Sequence, residues 1–237
     1  MKKTMMAVVG LGLLLGACST RSISNSGYDE GYGYRGNTYY QGELKVADVV
    51  GVPAGTAVGE AEIAAALKAS EASALVPHRN QRLLVVQSGA LTPDDDMMKA
   101  LQGDFLVEGF SGLPPRQDAD YAGRLRLMAA QGGFRQFLCY WGVLETEREG
   151  GVTKVVSWVP IVGSFIPDET QKMRIRIKAL LVDVESGRWR VYGAEAAEDE
   201  AITASINRRS VDQDQVAALK VRGYQALADQ LARSALP

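Results

Sequence analysis

The spacing of apolar positions changes several times along the chain, and each change predicts an element. Ala61–Ala69 is rich in alanine, with Ile63 and Leu67 four apart, the spacing of a short helix. Leu83, Leu84, Val85 and Val86 follow one another without a polar break, which predicts a short buried strand over Arg82–Val86. Thr92-Pro93-Asp94-Asp95 reads as a helix start: threonine can cap, proline suits the first helical position, and the acids favour the positive end of the dipole. Phe105–Phe110 is a second short strand before the Pro114-Pro115 break. Tyr121, Leu125, Met128 and Ala129 share one helical face, and Gly132-Gly133 ends that helix. From Phe137 to Leu144 the chain is aromatic and apolar, a strand covered on both sides, and Gly150-Gly151 then turns it.

The clearest pattern follows. Met173, Ile175 and Ile177 alternate with Arg174, Arg176 and Lys178, giving one apolar and one cationic face. Leu180, Leu181 and Val182 continue the strand, and Glu185-Ser186-Gly187 makes a tight turn. Beyond it Trp189 and Val191 extend the apolar face, while Arg188 and Arg190 point away. At the end, Ser210 and Gln213 have capping-box spacing, and Val216, Leu219, Leu227 and Leu231 make one stripe of a long helix. This order predicts α+β: a mostly antiparallel sheet with helices packed on one face and a long C-terminal helix.

The amino end obeys a different logic. Lys2 and Lys3 precede a twelve-residue apolar run, Met5–Gly16, too short to cross a bilayer as a helix. A charged start, a short apolar centre and a small-residue end form the pattern of a secretory signal. Leu15-Gly16-Ala17-Cys18 resembles the lipobox of bacterial lipoproteins. That resemblance implies cleavage before Cys18, a diacylglyceryl thioether on Cys18 and acylation of the new amino group. Such a lipid set would anchor stably, because two or more chains suffice for that. Ser19 stands where an aspartate would resemble an inner-membrane retention signal, which implies an outer-membrane address, with the domain facing the periplasm.

Residues 1–17 are therefore read as a signal peptide, and 18–42 as the lipidated cysteine with a flexible tether. Residues 43–237 are read as a single globular domain. The tether is dominated by Ser, Gly, Asn and Tyr, and it holds five of the nine tyrosines. Those tyrosines suit a disordered arm, or stacking against a glycan or partner. With 46 % hydrophobic residues the chain can build a substantial core. Of 26 basic and 28 acidic residues, loss of Lys2 and Lys3 leaves 24 against 28, a formal charge of −4 that offers nucleic acid nothing. With Cys18 lipidated, Cys139 has no partner in the chain; its apolar setting suits an inert thiol, with a reactive one as the alternative.

Leu125–Trp189 resembles a fold shared by the N-terminal domain of TolB, the curli-secretion lipoprotein and lipoproteins that activate penicillin-binding proteins. The matching pieces are Leu127–Gly133, the strand to Glu145, and Asp183-Val184-Glu185-Ser186-Gly187-Arg188-Trp189; Gly133-Phe134-Arg135 stands where that family has Gly-Ala-Asp. The resemblance implies a binding or assembly role and carries no catalytic residue across.

Candidate chemistry is thin. The one histidine, His78, lies in a polar stretch, and Gly109-Phe110-Ser111-Gly112 lacks the spacing of a nucleophile elbow. Asp94, Asp95 and Asp96 lack the spacing of a calcium loop, and zinc motifs lack ligands. No metal or cofactor is expected beyond the lipid on Cys18, and no catalytic residue is nominated. Two features invite a partner. Arg174, Arg176, Lys178, Arg188 and Arg190 form a candidate cationic face for an anionic glycan or an acidic envelope protein. The apolar loop Val155–Pro167, with Trp158, Ile161 and Phe165, is either a cover for the core or a contact surface. The reading is a non-enzymatic binding or assembly module of the cell envelope. Its rivals are a subunit of an oligomeric secretion channel and a carboxylate-dependent peptidoglycan-acting enzyme.

Overall fold

The computed structural model describes residues 22–26, 40–51, 58–72, 74–115, 120–149, 156–160, 170–195, 197–202 and 208–237. At 72 and over 146–149, 156–160, 170–172, 197–202 and 208–213 only the backbone is described. The elements are α1 (Val46–Val50), α2 (Glu60–Ala72), β1 (Arg82–Gln87), α3 (Asp95–Gln102), β2 (Leu106–Phe110) and α4 (Tyr121–Gln131). They continue with β3 (Gln136–Glu149), β4 (Val156–Pro160), β5 (Thr170–Asp183), β6 (Trp189–Gly193), β7 (Ala197–Ile202) and α5 (Arg208–Ser234).

Two long strands organise the sheet. β3 and β5, fourteen residues each, pair antiparallel from Gln136↔Asp183 to Thr146↔Met173. Each carries two shorter strands on its outer edge. β3 holds β1 along Gln136–Tyr140 and β4 along Glu145–Glu149; β5 holds β6 along Lys178–Val182 and β7 along Thr170–Ile175. β1 is parallel to both neighbours, β2 and β3, while the other four pairings are antiparallel. The fold is the expected α+β, mostly antiparallel, with a long C-terminal helix.

The helices do not all lie on one face. Leu83 and Val85 of β1, Leu138 and Tyr140 of β3 and Ile175, Ile177, Ala179 and Leu181 of β5 pack on one side, against Met97 and Leu101 of α3 and Leu219, Leu227 and Leu231 of α5. The alternate residues Leu84, Val86, Phe137, Cys139, Leu180 and Val182 pack on the other, against Val49 of α1 and Leu125 and Ala129 of α4. The physical reason is the unbroken apolar run of β1 and β3: both faces of a parallel strand need cover, so a second helical layer is required. On α4, Leu125 and Ala129 are buried but Met128 is exposed, so the buried stripe is narrower than its sequence suggests.

Three other expectations change. α3 begins after Asp94 rather than at Thr92, and the Asp94 side chain does not cap it. Val156–Pro160, read as part of a loop, is a strand whose Trp158 is in register with Glu147. The phase of β6 is reversed: Trp189 and Val191 are exposed and Tyr192 is buried. Tyr192 sets that phase because its ring reaches the α5 layer, and Arg190 lies over it with its guanidinium 5.4 Å from the ring centre. The Ser210–Gln213 side chains lie outside the described residues.

Candidate binding site

The expected tether is interrupted by an ordered segment. Ser22, Ile23, Ser24 and Ser26 are buried, with Ile23 at 1 % exposure in the α3/α5-side core. It sits where the edge of β3 is open between β1 and β4, bridging antiparallel through Ser22 to Val143. Ile23 lies over Gly142, where a Cβ would approach Ile23 Cγ2 to 2.5 Å, so glycine there makes the room. Hydroxyls make the polar part of the segment soluble in the core. Ser24 Oγ donates to Ser88 O at 2.5 Å and accepts from Gln87 Nε2 at 3.0 Å, and Ser26 Oγ donates to Ile23 O at 2.9 Å. A Ser-rich stretch with one isoleucine can be buried because each hydroxyl finds a partner.

The same region holds a connected polar network. Tyr140 donates its hydroxyl to Gln87 Oε1 at 2.5 Å, and the Asp94 amide donates to the same oxygen at 2.7 Å. Asp94 Oδ2 then accepts from Tyr224 at 2.5 Å and from Lys220 Nζ at 2.8 Å. The acid thus ties α3 to α5 rather than holding a cation. Burial pushes the Tyr140 and Tyr224 hydroxyls well up, with the Asp94 charge adding to it. Burial also pushes the Cys139 thiol well up, with the Glu43 charge adding, which places it in the core as a protonated group. Glu43 is itself raised, because burial outweighs its hydrogen bonds from Ser22, Ser88 and Tyr40.

The five cations named from the sequence do not share one face. Arg174, Arg176 and Lys178 stand on one side of β5, opposite Glu145, Val143 and Trp141 of β3. Arg174 Nε pairs with Glu145 Oε2 at 2.5 Å, and Arg176 Nη2 lies 3.4 Å from the same oxygen. Arg190, in register with Leu181, is on the opposite side of the sheet. Arg188 lies before β6 and donates to Ala69 O at 3.0 Å, while Arg190 donates to Leu75 O at 3.4 Å. Those two arginines therefore hold the α2 region over the hairpin. Between them opens a cleft of about 910 Å³, lined by Ile63, Ala66 and Leu67 of α2, by Leu75, and by Trp189 with both guanidiniums. Trp189 is 51 % exposed and Leu67 59 %. The Ile63–Leu67 spacing and the Arg-Trp-Arg triplet were the sequence signals for this cleft, concealed by assigning Trp189 to the core. Trp158 is placed on β4 by its backbone; Cys18, Ile161 and Phe165 lie outside the described residues.

Among solved structures, a PelC dodecamer from Paraburkholderia phytofirmans is similar at 15 % identity and TM-score 0.29, covering 70 % of this chain and 94 % of that one. The hypothetical protein CT253 from Chlamydia trachomatis is similar at 8 % identity and TM-score 0.35, covering 66 % and 97 %. No curated protein sequence matches the chain. Residues 45–234, from the start of α1 to the end of α5, match a family described as YafT bacterial lipoprotein. The chain belongs to the YafT bacterial lipoprotein family.

Proposed function

We propose that this protein is a lipoprotein anchored through Cys18 to the outer membrane, where its periplasm-facing domain acts as a non-enzymatic binding or assembly module. The observation that carries the reading is the cleft between α2 and the β5–β6 hairpin. Every described side chain of α2 is exposed, yet Ile63 and Leu67 line the same cleft as Trp189, with Arg188 and Arg190 beside them. Aromatic and arginine side chains together are what binding hot spots are made of, and an exposed apolar patch is a common mark of a contact surface. The described lining carries two guanidiniums and no carboxylate, which favours capture of an acidic, partly apolar envelope protein over carboxylate chemistry at this place. A photo-crosslinker at position 67 in intact cells is expected to give a discrete adduct, lost in Trp189→Ala with folding unchanged. A ring-sized assembly of this chain alone in detergent would favour the secretion-channel subunit instead.

A further inference from the structure

The docked segment and the cationic side of β5 bear on each other. Ser22 is four residues from Cys18, and four residues span at most about 14 Å. Ser22 bridges to Val143, and Val143 is in register with Arg176. Adjacent strands lie about 4.8 Å apart, so Arg176 begins only about 10 Å from Ser22. Because Ser22 runs antiparallel to β3, its amino side points along β3 toward Glu145, the end of the sheet where this face lies.

That face has the composition of a bilayer contact. Trp141 stands opposite Lys178, Val143 opposite Arg176 and Glu145 opposite Arg174. Glu145 pairs with Arg174, their side chains 11 % and 14 % exposed, and also lies 3.4 Å from Arg176, so one acid is shared by two guanidiniums. Arg176 is 58 % exposed, and Lys178 is exposed with no ion pair among the described residues. Among the described residues, α1 and α4 cover this side of the sheet over Phe137, Cys139, Leu180 and Val182, and beyond that cover Val143 is half-buried while Arg176 and Lys178 reach solvent. Trp141 is partly exposed, and its indole donates to Leu44 O, which fixes the ring at the edge of the cover. Tryptophan beside Arg and Lys is the residue set of the membrane interface.

We propose that the exposed Arg176 and Lys178, with the half-buried Trp141 and Val143 beside them, lie against the membrane and take the phosphates of anionic phospholipids. The inference rests on lipidation of Cys18 and assigns the anchored domain an orientation. The short lead from Cys18 keeps the face within reach of the headgroups, and the two cations supply the attraction. A guanidinium grips phosphate as a planar fork and an ammonium as a point charge. The α2–hairpin cleft is built on β6 and stays available to a partner.

The test uses the full lipidated chain in vesicles of phosphatidylcholine with or without phosphatidylglycerol, carrying a headgroup-attached quencher. An environment-sensitive fluorophore is placed by Val143→Cys on this face, or by Asp229→Cys on α5; the buried Cys139 stays unlabelled. Quenching at position 143 is expected to exceed that at 229 severalfold and to rise with phosphatidylglycerol. Replacing Arg176 and Lys178 by Gln is expected to weaken the anionic-lipid dependence by about fivefold for each charge removed. Where Val143→Cys folds poorly, Lys178→Cys carries the label and Arg176→Gln the charge test. Equal quenching at the two positions in a protein that still floats with vesicles overturns the orientation and leaves the anchor standing. Quenching at 143 that ignores both lipid charge and the Gln variants overturns the phosphate assignment. A protein that carries no acyl label and does not float refutes the lipidation on which both depend.

Discussion

At the scale of single residues, Glu43 has the most measurable role. Its carboxyl sits among Ser22, Ser88 and Tyr40, and burial lifts its pKa above the ordinary Glu value. A carboxylic acid raised in the folded state binds its proton more tightly there than in the unfolded chain. Its contribution is therefore fully present below the unfolded pKa and is lost as pH climbs through the folded one. We expect denaturant stability to fall over that window and Glu43→Gln to flatten the fall. Equilibrium unfolding followed by tryptophan fluorescence from pH 4 to pH 8 measures it, and an unchanged slope in the Gln variant would show that another group titrates. Cys139 shares this environment, and its thiol has neither the exposure nor the lowered pKa that reactivity needs.

At the scale of elements, α3 and α5 are joined by one acid. Asp94 accepts from both Tyr224 and Lys220 just before α3 begins, and Lys220 has a side chain only 15 % exposed. Asp94→Ala would leave an ammonium and a phenol without their acceptor, at a cost of roughly 2–4 kcal/mol. Chemical denaturation should show that loss with an unchanged slope, and a smaller one for Asp94→Asn; a loss under about 0.5 kcal/mol would mean that water replaces the acid freely. The elements that could be read in advance are those whose apolar spacing has one interpretation. The unbroken run of β1, the alternation of β5 and the stripe Val216–Leu219–Leu227–Leu231 all reappear in the core. β7, Ala197–Ile202, has no such spacing. Its backbone register instead sets Glu198 opposite Arg174 and Glu200 opposite Lys172, a juxtaposition invisible until the strands are adjacent. β6 could be phased two ways, and only the α5 layer beneath Tyr192 decides between them. The cleft inherited that error, because an exposed Trp189 is what makes it.

At the scale of the whole molecule, a short segment from within the expected tether packs into the core. Ser22–Ser26 looks too polar for a core when only composition is considered, yet it completes one from far away in sequence, with Ser24 bonded to Ser88 and Ser22 to Val143. Ile23→Ala is expected to destabilise the protein by about 2–5 kcal/mol, the range for a buried aliphatic. A residue in a free tether would change nothing, so thermal unfolding of this one variant distinguishes the two. These contacts join distant parts of the chain, the kind of long-range pairing that slows folding.

The position of Ile23 also determines how force enters the molecule. With the chain held through Cys18 as proposed, tension enters the described structure at Ser22 and loads the side of β3. What resists is one isoleucine seated over Gly142 together with the hydroxyl contacts of Ser24. The sheet beyond it is held by ladders up to eleven residue pairs long. Under load the seat is therefore the weak link, and it would yield as a unit before any strand does.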